Sequence, residues 1–345
     1  MPAPNHNAVV LFGHASIVPP PVSQPPSRRR ATLKNVATRF APARNTASPA
    51  FRRYAFAVLV YNVLVVLWGA VVRATGSGAG CGNHWPLCNG VVVPRDAAVQ
   101  TIIEFTHRLM SGASLAAVVL LVVWAFRAFP SGHVLRRATL WALGFLFLEA
   151  LLGAGLVLFD YVAKNVSVGR VVYLAAHLTN TQLLLASLAV VAWLASQPAR
   201  SGRSLPASLA AALIAALIVC VSGAIAALGD TLFPATSLTA GLHQDLSSTS
   251  NLLLRLRLAH PVIALVGAAI VVFSTLRVLR AHLPKLHSNL ALAVLLLTIA
   301  QLIAGALNVA LLAPVPMQIF HLLLAGALWI ALVFLSLAAL RPAES

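Results

Sequence analysis

Eight apolar segments, each long enough to cross a membrane, constrain the fold of this chain more than any other feature. They lie at about 54–73, 102–126, 138–158, 170–195, 207–228, 258–279, 289–312 and 318–340. Crossing a hydrocarbon core of about 30 Å takes about 20 helical residues. Since only 9% of the 345 residues are charged, the chain has too little polar surface for an ordinary soluble globule. We therefore predict an all-α integral membrane protein with eight transmembrane helices.

The basic residues fall mainly on one side of these segments, which indicates an orientation. If the amino terminus is cytoplasmic, 17 of the 24 Lys and Arg residues lie on the inner side, where such residues are enriched. Most acidic residues then lie on the outer side: Asp96, Glu104, Asp160, Asp230 and Asp245. We expect both termini in the cytoplasm, and we assign the net charge of +17 to this sorting and not to a nucleic-acid partner.

Residues 1–50 are rich in Pro, Ser, Ala and Arg and contain no acidic residue and no apolar run of spanning length. This composition is typical of disorder, and we predict a disordered basic cytoplasmic tail. A cleaved organellar transit peptide is the alternative interpretation. A cleavable secretory signal is not expected.

The segment TGSGAGCGNHWPLCNG at 75–90 interrupts the apolar sequence with two cysteines. On the outer side of a membrane disulfides persist, and the glycines around Cys81 and Cys88 permit a compact closed loop. We predict a disulfide between these cysteines that caps the helices, with two free thiols in a mobile loop as the alternative. Cys220 lies inside an apolar segment and is expected to be a small core residue.

Four of the eleven histidines lie within the apolar segments: His107, His177, His260 and His321. They fall in the second, fourth, sixth and eighth segments, each within about seven residues of the segment start. At a rise of 1.5 Å per residue, all four are expected within about 10 Å of the outer interface. A single intramembrane histidine is often a hydrogen-bonded core residue, but four at one depth indicate a shared function.

The chain also repeats itself at an offset of about 150 residues. Its intramembrane histidines recur at offsets of 153 and 144, and EALLG matches QLIAG at an offset of 152, which pairs Glu149 with Gln301. An even number of helices per repeat preserves orientation. We predict two duplicated four-helix bundles, at 51–197 and 205–341.

Each bundle then contains two histidines at one depth, on different helices. Two neutral imidazoles on facing helices are the usual axial ligands of a haem iron, whereas zinc prefers four convergent ligands that usually include cysteine or carboxylate. We predict His107 and His177 as iron ligands in the first bundle, and His260 and His321 in the second. Small residues would leave room for a macrocycle, with ordinary close packing as the alternative: Gly69, Gly112, Gly153, Gly155, Gly223, Gly267, Gly305 and Gly326.

The two predicted sites differ in charge. Glu104 lies three residues before His107, on the same helical face, whereas Arg257 takes that position in the second bundle. A carboxylate beside one haem can transfer protons or hydrogen-bond an oxygen species; a favourable charge at a helix amino terminus is the alternative. Arg108, Arg255 and Arg257 are expected to pair with haem propionates or to extend to the interface.

Together, TGSGAGCGNHWPLCNG, EFTHRLMSG, the Glu149/Gln301 repeat and the four histidines resemble the haem A synthase family over residues 54–340. The resemblance implies an eight-helix membrane oxidoreductase. Such an enzyme oxidises the C8 methyl group of haem O to a formyl group by successive hydroxylations, and the haem A produced serves the terminal cytochrome oxidase.

The resemblance also implies roles for the predicted sites. The second bundle would hold a resident haem b on His260 and His321, and the first would take the haem O substrate at His107 and His177, with Glu104 important for activity. Implied partners are haem O, delivered by haem O synthase, and an electron donor; a homo-oligomer is left open. The implied location is a bacterial cytoplasmic membrane, or the mitochondrial inner membrane in a eukaryote.

Cys81 and Cys88 match the outer cysteine pair of the family, which leaves open whether they act in the reaction or only brace the loop. Some bacterial members have a second pair after the fifth helix. Residues 230–254 contain no cysteine, so we expect no relay between two disulfides. The third helix has Glu149 where the family more usually has Gln, which leaves the role of Glu149 open.

Two other classes of protein fit parts of the pattern. A di-haem electron carrier would use bis-histidine pairs equally well, but the asymmetry at Glu104 and the capped loop favour a site that admits and releases a substrate. A transporter built on repeats fits less well, since no segment is broken by paired Gly and Pro near mid-membrane.

Overall fold

The structure is a computed structural model that describes residues 47–197, 204–281 and 284–340. Within these ranges it contains nine α-helices and no strand. The helices are α1 Pro49–Ala74, α2 Val99–Ala128, α3 Val134–Leu158, α4 Val168–Ser196, α5 Ala207–Leu232, α6 Leu238–Leu246, α7 Leu252–Arg280, α8 Lys285–Ala310 and α9 Val315–Ala339. Nearly all of the predicted basic tail lies outside the described residues, as does Arg341.

Eight of these helices, all except α6, are long and apolar enough to cross a membrane. Each has 25 to 30 residues, which exceeds the length needed for the hydrocarbon core. The predicted fold class is therefore confirmed, and the chain fits a multi-pass membrane protein.

The helix starts follow from local sequence. Ser48, Ser167 and Asn251 each accept a backbone N–H of the first turn, which satisfies one of the donors that a helix start leaves unpaired. The helices α5, α8 and α9 begin directly after a proline, whose fixed φ suits the entry to a helix. These caps separate the apolar runs into discrete spans.

The eight long helices form two four-helix groups, α1–α4 and α5 with α7–α9. In each group consecutive helices pack side by side, and the last helix returns to the first. The fourth helix of each group, α4 or α9, is the most enclosed: 61% and 44% of their spans are buried, against 22–28% for the others. Both central helices contact each other, so His177 and His321 lie on the helices that form the seam between the groups.

Consecutive long helices run antiparallel, so the loop at 75–98 and the short helix α6 lie at the same end of the molecule, which we call the capped end. All four intramembrane histidines lie toward this end. The sequence did not indicate α6, because nine residues of mixed polarity give no spanning signal. The boundaries predicted for the two bundles stay a prediction.

Candidate functional site

The four intramembrane histidines lie six to nine residues after the first residue of their helices. At 1.5 Å per residue they lie about 9–14 Å along the helices from the capped end. This is slightly deeper than the sequence indicated, because the helices begin a few residues before the apolar runs. The common depth is kept in both halves of the chain.

Each of these histidines faces a glycine on the preceding long helix. A Cβ atom added to Gly69, Gly223 or Gly305 would lie 2.9, 3.0 or 3.1 Å from the Cε1 atom of the imidazole opposite it. Gly153 has the same relation to His177 at 3.7 Å. The absence of a side chain at these positions therefore makes room for the imidazole rings, whereas the sequence had assigned that room to a macrocycle.

The remaining predicted glycines differ in their surroundings. Gly112 is exposed, and nothing lies within 4 Å of its Cβ position. Gly155 and Gly267 serve close packing, since an added Cβ would lie 2.5 Å from Tyr173 and 2.4 Å from Val219. Gly326 is buried, yet no atom lies within 4 Å of its Cβ position. Open space therefore adjoins α9 five residues past His321, on a different face of the helix from that histidine.

Within each bundle the two imidazoles lie at one depth, His107 with His177 and His260 with His321. In the described part of the chain, the buried Nδ1 atoms of His107, His177 and His321 have no hydrogen-bond partner. Buried polar atoms are normally paired. Three of the four imidazoles therefore lack the Nδ1 partner that an ordinary hydrogen-bonded core histidine would have.

The second bundle orients its histidines through neutral groups. The Nδ1 atom of His260 lies 2.9 Å from the hydroxyl of Ser222, which leaves Nε2 for a ligand. The Nε2 atom of His321 lies 3.2 Å from Nε2 of Gln301. For His321 to bind iron through this nitrogen, the Gln301 amide has to turn aside.

Glu104 is buried, with 3% of its surface exposed, and both of its oxygens are hydrogen-bonded. Oε2 accepts the backbone N–H of Cys81 at 2.8 Å, and Oε1 accepts Nε and Nη2 of Arg108 at 3.1 and 2.5 Å. Cys81 and Cys88 are joined in a disulfide. The carboxylate one turn from His107 is thus attached directly to the disulfide loop.

Arg108 completes this attachment and does not point to an open site. Its Nη1 donates to the carbonyl oxygens of His84 and Leu87, each at 2.5 Å. Gly80 packs against the start of α2 so closely that an added Cβ would lie 2.5 Å from the carbonyl oxygen of Gln100. The loop is therefore fixed on the first bundle, and the propionate role expected for Arg108 stays a prediction.

In the second bundle Arg257 connects the capped end to the helices, as Arg108 does in the first. It donates to Asp245 on α6, at 2.5 Å for the shortest contact, and to Asp230 at the end of α5, at 3.2 Å. Further bonds reach the Phe233 carbonyl and the Gln244 side chain. Two carboxylates thus surround the guanidinium that the sequence had assigned to a propionate, and α6 is held across the capped end.

Two groups of polar contacts were not found from sequence. Arg73 joins the bundles: it donates to the Ala227 carbonyl at 2.6 Å, to Thr231 at 2.7 Å and to Gln318 at 2.8 Å. Glu149 lies beside His177, with Oε1 3.5 Å from Nδ1. The only available signal for Glu149 was its pairing with Gln301 in the repeat.

The geometry fits a haem better than a bare metal ion. Among the residues that the structure describes, no three or more His, Cys, Asp or Glu side chains form a group that could hold a metal ion. A haem iron takes only two axial ligands from the protein. Each bundle offers two imidazoles at one depth, each packed beside a glycine, which meets that requirement.

The chain is similar to several known proteins. A model of the COX15-CtaA family, described as cytochrome oxidase assembly protein, matches residues 52–333. A protein of Thermus thermophilus named protoheme IX farnesyltransferase is 49% identical over 301 residues, which make up 85% of this chain and 50% of that protein.

Proteins named heme A synthase are also similar over shorter stretches. The one from Alkalihalophilus pseudofirmus is 35% identical over 144 residues, or 42% of this chain and 46% of that protein. The one from Bacillus cereus is 46% identical over 97 residues, or 28% of this chain and 30% of that protein. The chain spans about half the length, or less, of these curated relatives.

Proposed function

Because the chain belongs to the COX15-CtaA family of cytochrome oxidase assembly proteins, we propose that it is a haem A synthase, which oxidises the C8 methyl group of haem O to a formyl group. The observation that carries the proposal is the set of four intramembrane histidines, paired in two bundles at one depth. Only the first pair has a buried carboxylate, Glu104, one turn away on the same helix. The relatives named heme A synthase support it.

The two pairs have different tasks in this proposal. His260 and His321 hold a resident haem b, in a bundle where neutral side chains contact both imidazoles. That haem supplies one-electron transfer when bound. His107 and His177 receive the haem O substrate, in the bundle that contains Glu104 and the disulfide loop.

The residues of the first bundle position the substrate and keep water away from it. The loop closed by Cys81 and Cys88 covers the capped end, and Arg108 fixes it through two carbonyl oxygens. Glu104 holds the N–H of Cys81 and is placed to transfer a proton beside His107, as general acid–base catalysis requires. Displacement of the loop would free this carboxylate and open a path for substrate exchange.

The membrane and the partners follow from the same proposal. We place the capped end on the outer side of a bacterial cytoplasmic membrane, or of the mitochondrial inner membrane in a eukaryote, with both termini in the cytoplasm. The distribution of Lys and Arg supports this orientation. Haem O would come from haem O synthase, electrons would come from a separate donor, and assembly as a homo-oligomer is compatible with this arrangement.

The name of the Thermus thermophilus relative describes a farnesyl transfer. We do not propose that activity for this chain. The chain covers only 50% of that protein, and the COX15-CtaA model matches 52–333 of this chain. The part shared with that relative therefore overlaps the part that identifies the family.

The proposal is tested by chromatography of haems extracted from a host that makes haem O, with and without the full chain. We expect a peak of haem A, or of its hydroxylated precursor, only in cells with the chain. His260→Ala is the control, because loss of the resident haem should abolish the peak. Unchanged haem O from a folded protein that holds two haems would refute the synthase and identify an electron carrier.

A further inference from the structure

We propose that Glu149 is a positioning residue for His177. Its carboxylate is the acceptor that orients the Nδ1 side of the imidazole, and it gives the first bundle an anionic ligand neighbour that the second bundle lacks. The inference rests on the proposed function only for the iron that His177 would bind. The contact between the two side chains stands independently.

Three neighbouring side chains on α4 face Glu149. Its Oε2 accepts Nδ2 of Asn180 at 2.6 Å, and its Oε1 accepts the hydroxyl of Thr181. The Nδ1 atom of His177 lies 3.5 Å from Oε1, too far for an ordinary hydrogen bond, and has no hydrogen-bond partner among the described residues. These three residues follow the i, i+3, i+4 spacing of one helical face, so a single carboxylate contacts all of them.

The carboxylate is fixed in place before any ligand binds. Asn180 also donates to the carbonyl oxygen of Phe145 at 2.9 Å, which is one turn before Glu149 on α3. Gly153, one turn after Glu149, lies against the His177 ring. A shift of about 0.6 Å would bring Nδ1 to the usual hydrogen-bond distance. With Nδ1 directed at Glu149, Nε2 points away from α3 and is free for iron.

The carboxyl group of Glu149 lies near one basic side chain, the imidazole of His177. Among the described residues, His177 is the only Lys, Arg or His side chain within 4 Å of the carboxylate. Histidine ligands commonly donate their second N–H to a carboxylate, which fixes the tautomer and raises the basicity of the ligand. A more basic ligand favours oxidised iron, so the haem on His177 should have a lower potential than it would have beside an amide.

The internal repeat shows that the arrangement is specific to the first bundle. Glu149 corresponds to Gln301, which is neutral and faces Nε2 of His321 instead of Nδ1. At the offset of the histidines, Asn180 and Thr181 correspond to Leu324 and Ala325. The second bundle thus lacks, at the corresponding positions, both the carboxylate and the two donors that hold it. The two sites therefore differ in a group of three residues, Glu149, Asn180 and Thr181, and not in one residue alone.

The first test uses haem-free full chain in detergent, labelled with 15N-histidine. We expect the His177 Nδ1–H signal, identified by its loss in His177→Ala, at the downfield proton shift of an N–H bonded to a carboxylate. Glu149→Gln keeps the shape and should move this signal upfield. Gln301→Glu is the matched control and should leave it unchanged. An unchanged His177 signal in Glu149→Gln would overturn the inference.

A second variant guards against misfolding of the first. Thr181→Ala removes the hydroxyl bonded to Oε1 and copies the residue of the second bundle, while Glu149 stays. It should shift the His177 signal too, because Oε1 loses its fixed partner. If Glu149→Gln does not fold and Thr181→Ala leaves the signal unchanged, the inference is wrong.

The second test loads both sites with hemin and measures the two midpoint potentials. Glu149→Gln should raise the potential of the haem that His107→Ala removes, and should leave the other unchanged. A merely structural role would move neither. If the chain makes no haem A while the His177 signal still responds to Glu149→Gln, the proposed function fails and the positioning role stands.

Discussion

Replacing Gly223 by alanine places a methyl group against the imidazole of His260. The new Cβ atom would lie 3.0 Å from Cε1, 3.3 Å from Nε2 and 3.6 Å from Nδ1, where ordinary contact begins at 3.4 Å. The ring must therefore move by a few tenths of an ångström. It cannot move freely, because Nδ1 is 2.9 Å from the hydroxyl of Ser222 on the same helix as the new methyl group.

The cost follows from this overlap. Overpacking a well-packed site by one methyl group costs about 1–3 kcal/mol. If this cost falls on the ligated position of His260, it corresponds to about a 5- to 150-fold weaker affinity for haem. The folded protein should survive, because alanine favours a helix over glycine by about 1 kcal/mol. We therefore expect a folded variant with reduced haem content.

The assay is hemin titration of purified full chain, together with haem content by pyridine haemochrome. Gly112→Ala is the control, since Gly112 is an exposed helical glycine with no atom within 4 Å of its Cβ position. Gly223→Ala should lose resident haem while Gly112→Ala keeps it. Equal haem affinity in the two variants would refute the idea that the absence of a side chain at Gly223 lets His260 take up its ligand position.

Three further predictions concern the capped end and the seam. Glu104→Ala should keep the resident haem but stop haem A formation, measured by chromatography of extracted haems; undiminished product would mean that the carboxylate only anchors the loop. Arg73→Met should lower the free energy of unfolding in detergent by about 1–3 kcal/mol, because half-buried acceptors lose their donor. Arg95 is exposed, so Arg95→Met should not have this effect, and equal thermal midpoints for the two variants would contradict the prediction. In limited proteolysis, the double variant Cys81→Ser/Cys88→Ser should be cleaved in its loop faster than the parent. An equal cleavage rate would show that the hydrogen bonds to the loop backbone fix the loop without the disulfide.

Several conclusions could be reached from sequence because they depend on local properties. Hydropathy identifies a spanning helix without reference to its neighbours, and a constant rise per residue converts position into depth. The four histidines could therefore be placed at one level toward one end. The spacing of Cys81 and Cys88 was also local information, and the structure joins them.

Other conclusions required the tertiary structure because they depend on helix rotation and on contacts across the molecule. The partners of Arg108 and Arg257 are loop carbonyls and distant carboxylates, which no helical period could indicate. Gly69 and Gly223 were recognised as small, but only packing showed that their space belongs to imidazole rings. The contacts of Arg73 with the second bundle likewise had no signal in the sequence.

The sequence by itself determined eight membrane-spanning helices, their repeat and the common depth of the histidines. Each of these features depends only on the order of residues along the chain. Only the tertiary structure decided which side chains meet. The contact between Glu149 and His177 spans two helices, and the bridge of Arg73 spans two bundles. Such pairings depend on how every helix is rotated against its neighbours, because interior packing is dense and one rotation constrains the next.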